Sequence, residues 1–489
     1  MKSGIEWIAE RERKNERLGG YSMKRKPTLF EALSCFIVMA LIIGVGKGIM
    51  RLDIQPLLLL AAFYAACLGL RLGYNYQEME KGVTDNFTAS LPVIYILVAV
   101  GIVIGTWMYS GTVPYLIYLG LKLISPQLFL VTAFLITAIV STATGTAWGS
   151  VATAGLALIG IASEMGIPLG MAAGAIISGG VFGDKMSPLS DTTNLAPMIC
   201  GVDLFDHIRH MFWTTIPASC VGLIVWFIVG QSFHLDAANS ASIATLSANL
   251  SSIFNWNLLL LLPAVIVIVG AMMRKPTVPL MLLSAVVAIA LGMFFHGFSF
   301  ASGVSSCVGG FKTTMISAAA AQDAIAQENV IKLLSRGGIS SMMNIVNTII
   351  CAYAFAGVVE RIGCLQVILD SVSGKLDGRW KLIGATILVS VMLTFTTGVA
   401  SVPIIMIGFL LKEAYANMGL HGVNLSRTLE DSGTMLLPFV PWGASGIYYM
   451  DLLGVTVGQY AIWAIPCYLC VVFAMIWATT GKGIRYLNK

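Results

Sequence analysis

The sequence predicts an all-α polytopic membrane protein. Of its 489 residues, 57% are hydrophobic and only 11% are charged, whereas soluble domains carry about 25% charged residues. Several apolar runs are long enough to cross a bilayer as a helix of roughly 20 residues. Similar polar motifs interrupt these runs in both halves of the chain. We therefore expect about 11–13 membrane segments, arranged as two inverted-topology repeats with broken helices or hairpins at the midplane.

The distribution of charge predicts the domain boundaries and the orientation. The N-terminal segment is rich in basic residues, which places it in the cytoplasm, and residues 231–256 contain no Lys or Arg, which places them outside. The net charge of +5 follows from membrane orientation and does not indicate nucleic acid. The predicted divisions are a cytoplasmic segment, a first repeat, an extracytoplasmic linker, a second repeat and a tail: 1–27, 28–230, 231–256, 257–480 and 481–489.

The sequence gives little support to an enzyme and none to a cofactor. No HExxH motif occurs among the five histidines, so a zinc protease is not indicated. Ser187 and Lys185 are only two positions apart, without a loop that would form an oxyanion hole. Cys467 and Cys470 lie in an apolar helix without partners for a metal, and we interpret them as packing residues.

A polar stretch interrupts the apolar sequence between Gly183 and Pro197, with the sequence GDKMSPLSDTTNLAP. Irregular backbone at membrane depth must line a protein-enclosed or watery cavity; the alternative is a polar loop at the membrane surface. A hard monovalent cation needs several oxygen ligands. The stretch offers six candidate ligands for a cation or a proton: Asp184, Ser187, Asp191, Thr192, Thr193 and Asn194.

Asp184 and Asp191 are the candidates for proton and cation competition. They are seven positions apart and would share a face of a continuous helix, although Pro188 makes that helix doubtful. Two carboxylates in one low-dielectric pocket repel each other, and such a carboxylate holds either a proton or a cation. Lys185 is a charge partner that either neutralises an acid, or competes with the cation, or extends to the membrane interface.

Related motifs recur in the second half. TATGTAWGS near Thr142 is echoed by TTGVASVP near Thr396, and GDKMSPLSDTT is echoed by EDSGTMLLPFVPWG. Asp184 and Asp431 are 247 positions apart (431 − 184), and Ile216-Pro217 and Ile465-Pro466 are 249 apart (465 − 216). This nearly constant offset argues for duplication. Because the first repeat starts inside and ends outside, the second runs in the opposite direction. An inverted repeat predicts a secondary transporter that works by alternating access.

The echoed motifs supply further candidates. Hydroxyls at the two breaks and the acids of the second half are possible contributors to the site: Thr144, Thr146, Thr397, Glu430, Asp431 and Thr434. The threonines are either ligands or helix-packing residues. Asp431 is either a second carboxylate of the site or part of a loop-end salt bridge with Arg427 and Glu430. His207 and His210, which flank a basic residue, are expected at the surface.

GDKMSPLSDTTNLAP resembles the signature of the NhaC family of sodium/proton antiporters, within the ion transporter superfamily. LSRGGISSMMN from Leu334 and SRTLEDSGTMLLPFVPWG from Ser426 are similar to that family's second half. The resemblance implies an inner-membrane exchanger of Na⁺ or Li⁺ for H⁺, with helical hairpins and a homodimeric assembly. PWG at Pro441–Gly443 departs from the PWN pattern of the family, which removes an amide ligand.

The same resemblance also admits carriers that exchange organic acids, such as malate against lactate, or amino acids. The core motif would serve the cation in either case. Few intramembrane Lys or Arg residues are available to bind a carboxylate, and Lys185 is the main one; this favours a cation-only substrate. A channel is less consistent with paired inverted repeats.

Overall fold

The computed structural model describes residues 24–50, 52–188, 190–233, 237–273, 275–316, 322–325, 327–373 and 378–487. Most of the predicted segment 1–27 therefore lies outside the described residues. Within the described ranges the chain is helical, and the β structure there is a single antiparallel bridge between Leu420 and Tyr486. The contacts divide the chain into two compact units, Met1–Ala89 with Ile350–Gly374, and Ser90–Ile349 with Lys375–Lys489.

The helices are numbered in chain order, and their bounds up to the middle of the chain are α1 (Leu29–Ile43), α2 (Ile54–Arg71), α3 (Tyr76–Tyr109), α4 (Thr112–Leu123), α5 (Phe129–Thr144), α6 (Ala147–Glu164), α7 (Leu169–Met186), α8 (Asp191–Cys200), α9 (Leu204–Gly230), α10 (Ala237–Ile253), α11 (Leu262–Met272) and α12 (Thr277–His296). The predicted linker 231–256 thus contains a helix, α10. A π-helical continuation, Gly44–Ile49, follows α1.

The remaining helices are α13 (Phe300–Gly309), α14 (Gln322–Ile325), α15 (Glu328–Leu334), α16 (Ile339–Arg361), α17 (Cys364–Ser373), α18 (Arg379–Thr397), α19 (Ser401–Asn417), α20 (Gly422–Leu429), α21 (Ala444–Leu453), α22 (Val457–Tyr460) and α23 (Ile465–Thr480). Directly after α20 the helix widens into a π turn, Glu430–Thr434. We call these five residues the π turn throughout.

Among the described residues, 8 helices are long and apolar enough to cross a membrane, or up to 11 if each of three bent pairs forms one span. This confirms the all-α polytopic fold. Helices dominate because lipid offers no partners for backbone N–H and C=O groups, which must therefore bond within each segment. The inverted relation of the two repeats, and the domain boundaries drawn from it, stay predictions.

The helix breaks that the sequence predicted are present. α5 ends at Gly145, which has a positive φ of 69°, and α6 then begins behind Thr146, whose hydroxyl accepts a hydrogen bond from the Gly149 amide. α18 ends in the same way at Gly398, with a φ of 68°. Glycine suits both positions because L side chains rarely adopt this left-handed conformation.

α5 and α7 pack against each other through glycines. A Cβ atom at Gly179 would lie 2.1 Å from Thr137 Oγ1, and one at Gly183 would lie 2.4 Å from the Ala138 carbonyl oxygen. Neither distance is compatible with a side chain. Small residues allow the two backbones to approach closely, which is how many membrane helices associate.

Candidate cation site

A cavity of about 640 Å³ lies in the second unit, where the helix breaks of both halves of the sequence meet. The first half contributes the turn between α5 and α6 and the break between α7 and α8. The second half contributes the turn after α18 and the end of the π turn. The polar side chains that line the cavity are Thr144, Thr146, Asp184, Ser190, Asp191, Thr192, Lys275, Ser401, Thr434, Ser445 and Tyr449.

Asp184 and Asp191 both line this cavity, but from different helices. Asp184 is half-buried in the last turn of α7, and Asp191 is the exposed first residue of α8. The chain leaves the helical conformation at Ser187, where φ is −85° and ψ is 129°. The break before Pro188, and not a shared helix face, is what directs the two carboxylates to the same cavity.

The surroundings of Asp184 are polar, and among the described residues its carboxylate has no ion-pair partner. The Ser190 hydroxyl and the backbone amide of Ala147 interact with the carboxylate. Ala147 is the first residue of α6, and the start of a helix carries a partial positive charge that favours an anion. Glu430 and, to a smaller extent, Asp191 lie close enough to repel the Asp184 carboxylate. A cation bound among these acids would relieve that repulsion.

Three of the predicted ligands hold the break together. The Ser187 hydroxyl donates to the Thr142 carbonyl at 2.8 Å, the Thr193 hydroxyl to the Lys185 carbonyl at 3.0 Å, and the Asn194 amide to the Ser190 carbonyl at 2.7 Å. None of the three is among the residues that line the cavity. Of the six predicted ligands, Asp184, Asp191 and Thr192 line the cavity. The ligand roles themselves stay predictions.

Of the predicted hydroxyls at the two helix turns, two line the cavity and one does not. Thr144 and Thr146 line the cavity. Thr397 is buried beside it, and its hydroxyl donates to the Leu393 carbonyl at 2.8 Å. Gly443 of the PWG segment lies against the turn after α18: a Cβ atom on Gly398 would lie 2.8 Å from the Gly443 Cα. The departure from PWN therefore coincides with a close contact between two backbone turns.

Lys185 and Asp431 form a buried ion pair. The Lys185 ammonium group donates to Asp431 Oδ1, and both side chains are 0% exposed. The Thr214 hydroxyl donates to the same oxygen at 2.9 Å, and Arg427 Nε lies 3.9 Å from Asp431 Oδ2. Of the alternatives for Lys185, extension to the membrane interface is wrong, because its charge is compensated inside the protein.

The same geometry bears on the alternatives for the second-half acids. Asp431 does pair with positive charge, yet the pairing is buried among helices and involves Lys185 in addition to Arg427. The predicted salt bridge between Arg427 and Asp431 is therefore present, but it lies within a buried helix and its π turn and not at a loop end. The acid that Lys185 neutralises is Asp431, in the other half of the sequence, and not its sequence neighbour Asp184.

Glu430 is fully buried next to this pair. Neither of its carboxylate oxygens has a hydrogen-bond partner of normal geometry within the described ranges. Its interacting neighbours are the hydroxyls of Thr192 and Thr434, which line the cavity, and the charge of Lys185. Glu430 thus interacts with both the ion pair and residues of the cavity. It is a third carboxylate, after Asp184 and Asp191, that would attract a cation in the cavity.

The burial of several polar residues in this region was not predicted from the sequence. Arg427 is 0% exposed, and its Nη1 donates to the Gly483 carbonyl at 2.7 Å and lies 3.1 Å from His210 Nε2. His207 Nδ1 lies 2.8 Å from the Ser426 hydroxyl. Both histidines are buried, so their expected surface position is wrong. Their positive and polar neighbours come from α20, more than 200 residues away in sequence.

The C-terminal tail is attached to α20. Arg485 is the central residue, because its carbonyl accepts hydrogen bonds from the His421 amide at 2.9 Å and from the Asn424 side chain at 2.6 Å. The Leu487 amide donates to the Gly419 carbonyl at 2.9 Å. Together with the bond from Arg427 to Gly483, these contacts cover the end of the helix that carries the buried charges.

Comparison with known proteins identifies the family of the chain. The Na⁺/H⁺ antiporter family matches residues 179–482, a range that includes every acid discussed above. A Haemophilus influenzae protein named an uncharacterized Na⁺/H⁺ antiporter is 40% identical over 95% of this chain and 98% of its own length. The Na⁺/H⁺ antiporter NhaC of Alkalihalophilus pseudofirmus is 35% identical over 94% and 98%. The malate-2H⁺/Na⁺-lactate antiporter of Bacillus subtilis is 35% identical over 95% and 97%.

Proposed function

The chain belongs to the Na⁺/H⁺ antiporter family, and we propose that it exchanges Na⁺, or Li⁺, for H⁺ across the cell inner membrane by alternating access. The observation that carries this proposal is the meeting of Asp184 and Asp191 in one cavity, in a protein with many apolar spans. A transporter of this kind performs no covalent chemistry and needs no cofactor besides the transported ions. A cytoplasmic N-terminus and a homodimer complete the proposal.

Competition at the carboxylates explains the exchange. With a cation bound, Asp184 and Asp191 are both ionised and the threonine hydroxyls at the helix breaks supply neutral oxygen ligands. When the cation leaves, the repulsion between the two acids favours uptake of a proton. A site that holds either Na⁺ or H⁺, and that opens to one side at a time, couples the two gradients.

The test uses purified full-length protein in liposomes that enclose a pH-sensitive dye. An imposed Na⁺ gradient should move protons in the opposite direction, and reversing the gradient should reverse the pH change. Liposomes without protein and liposomes with the Asp184→Asn variant are the controls. If neither Na⁺ nor Li⁺ gradients move protons in the wild-type protein, the proposal fails.

Exchange of a small organic acid is a second candidate. The cavity of about 640 Å³ falls within the range of roughly 300–1,000 Å³ that is typical of small-molecule pockets, and a bare alkali ion needs far less. Lys275 is on its lining and is a candidate partner for a carboxylate, a role for which Lys185 is unsuited because it pairs with Asp431. Counterflow of labelled malate or lactate would favour this candidate, and cation/proton exchange alone predicts none.

A further inference from the structure

Two buried hydroxyls on α18 differ from the other hydroxyls of that helix. Thr386, Thr396 and Thr397 each donate to the carbonyl four residues earlier, at 2.8, 2.6 and 2.8 Å. Ser390 and Thr394 are 0% exposed, yet neither hydroxyl has a hydrogen-bond partner in the part of the chain that the structure describes. An unpaired buried polar group costs about 1–3 kcal/mol, so each such group in a native protein calls for an explanation.

Both hydroxyls face the same point, beside Gly433 of the π turn. A Cβ atom at Gly433 would lie 3.6 Å from Ser390 Oγ and 3.8 Å from Thr394 Oγ1, with Pro403 Cγ at 3.6 Å. These are ordinary van der Waals distances, so there is room for a group the size of a methyl. The π turn brings further oxygens that lack hydrogen-bond partners in the described ranges, on Glu430, Asp431 and Thr434.

The equivalent contact in the first half has neither feature. On α5, the Thr137 hydroxyl donates to the Ala133 carbonyl at 2.7 Å and the Ser141 hydroxyl to the Gly180 carbonyl at 2.5 Å. A Cβ atom at Gly179 would lie 2.1 Å from Thr137 Oγ1. In each half, a helix with two buried hydroxyls thus packs against glycine: Gly179 and Gly183 in the first, Gly433 in the second. Among the described residues, only the second contact combines unpaired hydroxyls with space beside them.

Resting on the proposed exchange of Na⁺, we propose a second Na⁺ site between α18 and the π turn. The hydroxyls of Ser390 and Thr394 are its ligands on α18, and Thr434 connects it to the cavity, which this residue lines. Glu430, four residues before Thr434, provides the negative charge that a cation needs in a low-dielectric environment. Hydroxyl, carbonyl and carboxylate oxygens are the donors that hard cations prefer.

The test is the number of Na⁺ ions bound per chain, measured by equilibrium binding of radioactive Na⁺ to the purified protein in detergent. The wild-type protein should bind two. The Ser390→Ala/Thr394→Val double variant, which removes both hydroxyls, should bind one. Gly433→Ala should also bind one, because its methyl group occupies the space beside the hydroxyls while making only ordinary contacts.

Two matched controls should leave the number at two. Thr106→Val removes a buried hydroxyl that donates to the Ile102 carbonyl of its own helix. Gly384→Ala adds a methyl group to α18 itself, at 3.4 Å from the end of the Met475 side chain. Each variant is assayed only as a monodisperse sample, and Gly433→Ala decides the question if the double variant does not fold.

A wild-type number of one, or an unchanged number in the folded double variant or in Gly433→Ala, would overturn the second site. These outcomes are separate from a failure of the exchange. If the wild-type protein moves protons under a Na⁺ gradient but binds one Na⁺, only the second site is wrong. If it binds two Na⁺ ions without moving protons, the second site stands and the antiport proposal fails.

Discussion

The contact between α5 and α7 and the contact between α18 and the π turn are built from the same residue types and differ in how completely they are bonded. In the first contact, glycines allow the backbones to touch, and the Ser141 hydroxyl bridges to the Gly180 carbonyl. In the second contact, the hydroxyls of Ser390 and Thr394 lack partners among the described residues, and Gly433 has room beside it.

This difference suits the two contacts to different roles, one as a rigid support and one as a place that can bind an ion or rearrange. A close-packed, fully bonded contact tolerates little change in volume, which suits a rigid support for Asp184. A contact with unsatisfied oxygens has more to gain from a bound ion or from a rearrangement, and π turns are frequent at functional sites. Four predictions test the comparison, from the largest expected effect to the smallest.

The largest effect should follow from breaking the ion pair that joins the two halves. Asp431→Asn leaves Lys185 and Arg427 without their shared carboxylate, and we expect the free energy of unfolding to fall by about 3–5 kcal/mol. Lys185→Met should cost less, because Arg427 Nε remains 3.9 Å from Asp431. Chemical unfolding in mixed micelles measures both. The double variant should recover part of the loss; strictly additive losses would show that the two side chains do not act as a pair.

Removing a charge in the cavity should abolish transport without unfolding the protein. Asp184→Asn and Asp191→Asn should each lower Na⁺-driven proton flux by at least about 100-fold, equivalent to about 3 kcal/mol, because an amide cannot alternate between proton and cation. Neither residue has an ion-pair partner in the described part of the chain, so the melting temperature should change little. Asp53→Asn is the matched control, because Asp53 is an exposed acid that lies far before Asp184 in the sequence. Normal flux in both cavity variants would place the site elsewhere.

Adding a methyl group should change the free energy of unfolding differently at the two contacts, because one is close-packed and the other has space. Gly183→Ala places a Cβ atom 2.4 Å from the Ala138 carbonyl oxygen and should lower the free energy of unfolding by about 1–3 kcal/mol. Gly433→Ala should be neutral or stabilising by up to about 1 kcal/mol, because alanine reduces the freedom of the unfolded chain. Unfolding in Na⁺-free buffer measures both variants, and equal losses would remove the packing difference.

The smallest effect concerns single hydroxyls. Ser141→Ala removes the hydrogen bond to the Gly180 carbonyl and should cost about 1 kcal/mol. Ser390→Ala removes a hydroxyl without a partner in the described ranges, and in Na⁺-free buffer it should be neutral or slightly stabilising. The same unfolding assay applies. A loss at Ser390 as large as that at Ser141 would mean that both hydroxyls are equally bonded.

The features that were predictable from the sequence are those with local causes. Apolar length predicts spans because lipid requires internally bonded helices, and Gly145, Gly398 and Pro188 mark the breaks because their own conformational preferences end a helix. The partner of Lys185 is 246 residues away, and nothing local selects Asp431 from the other acids. That choice depends on how α7 packs against the π turn.

The buried histidines show where a local signal was available and missed. His207 and His210 have charged neighbours in sequence, which suggested a surface position. Their spacing with Met211 and Thr214 nevertheless follows one face of α9, and all four residues are buried. Helical periodicity would have placed both histidines inside, whereas the identity of their partners on α20 could not be read from spacing.

The segment that covers α20 shields the buried guanidinium group of Arg427 from solvent. Residues 483–487 bond to Arg427, Asn424 and the backbone near Gly419. A fusion partner or an antibody fragment that pulls this segment away would remove a carbonyl from Arg427 and admit water to a guanidinium group that is now dry. A bulky group attached next to this segment therefore needs a long linker, and one attached without a linker would test how the buried charges respond to solvent.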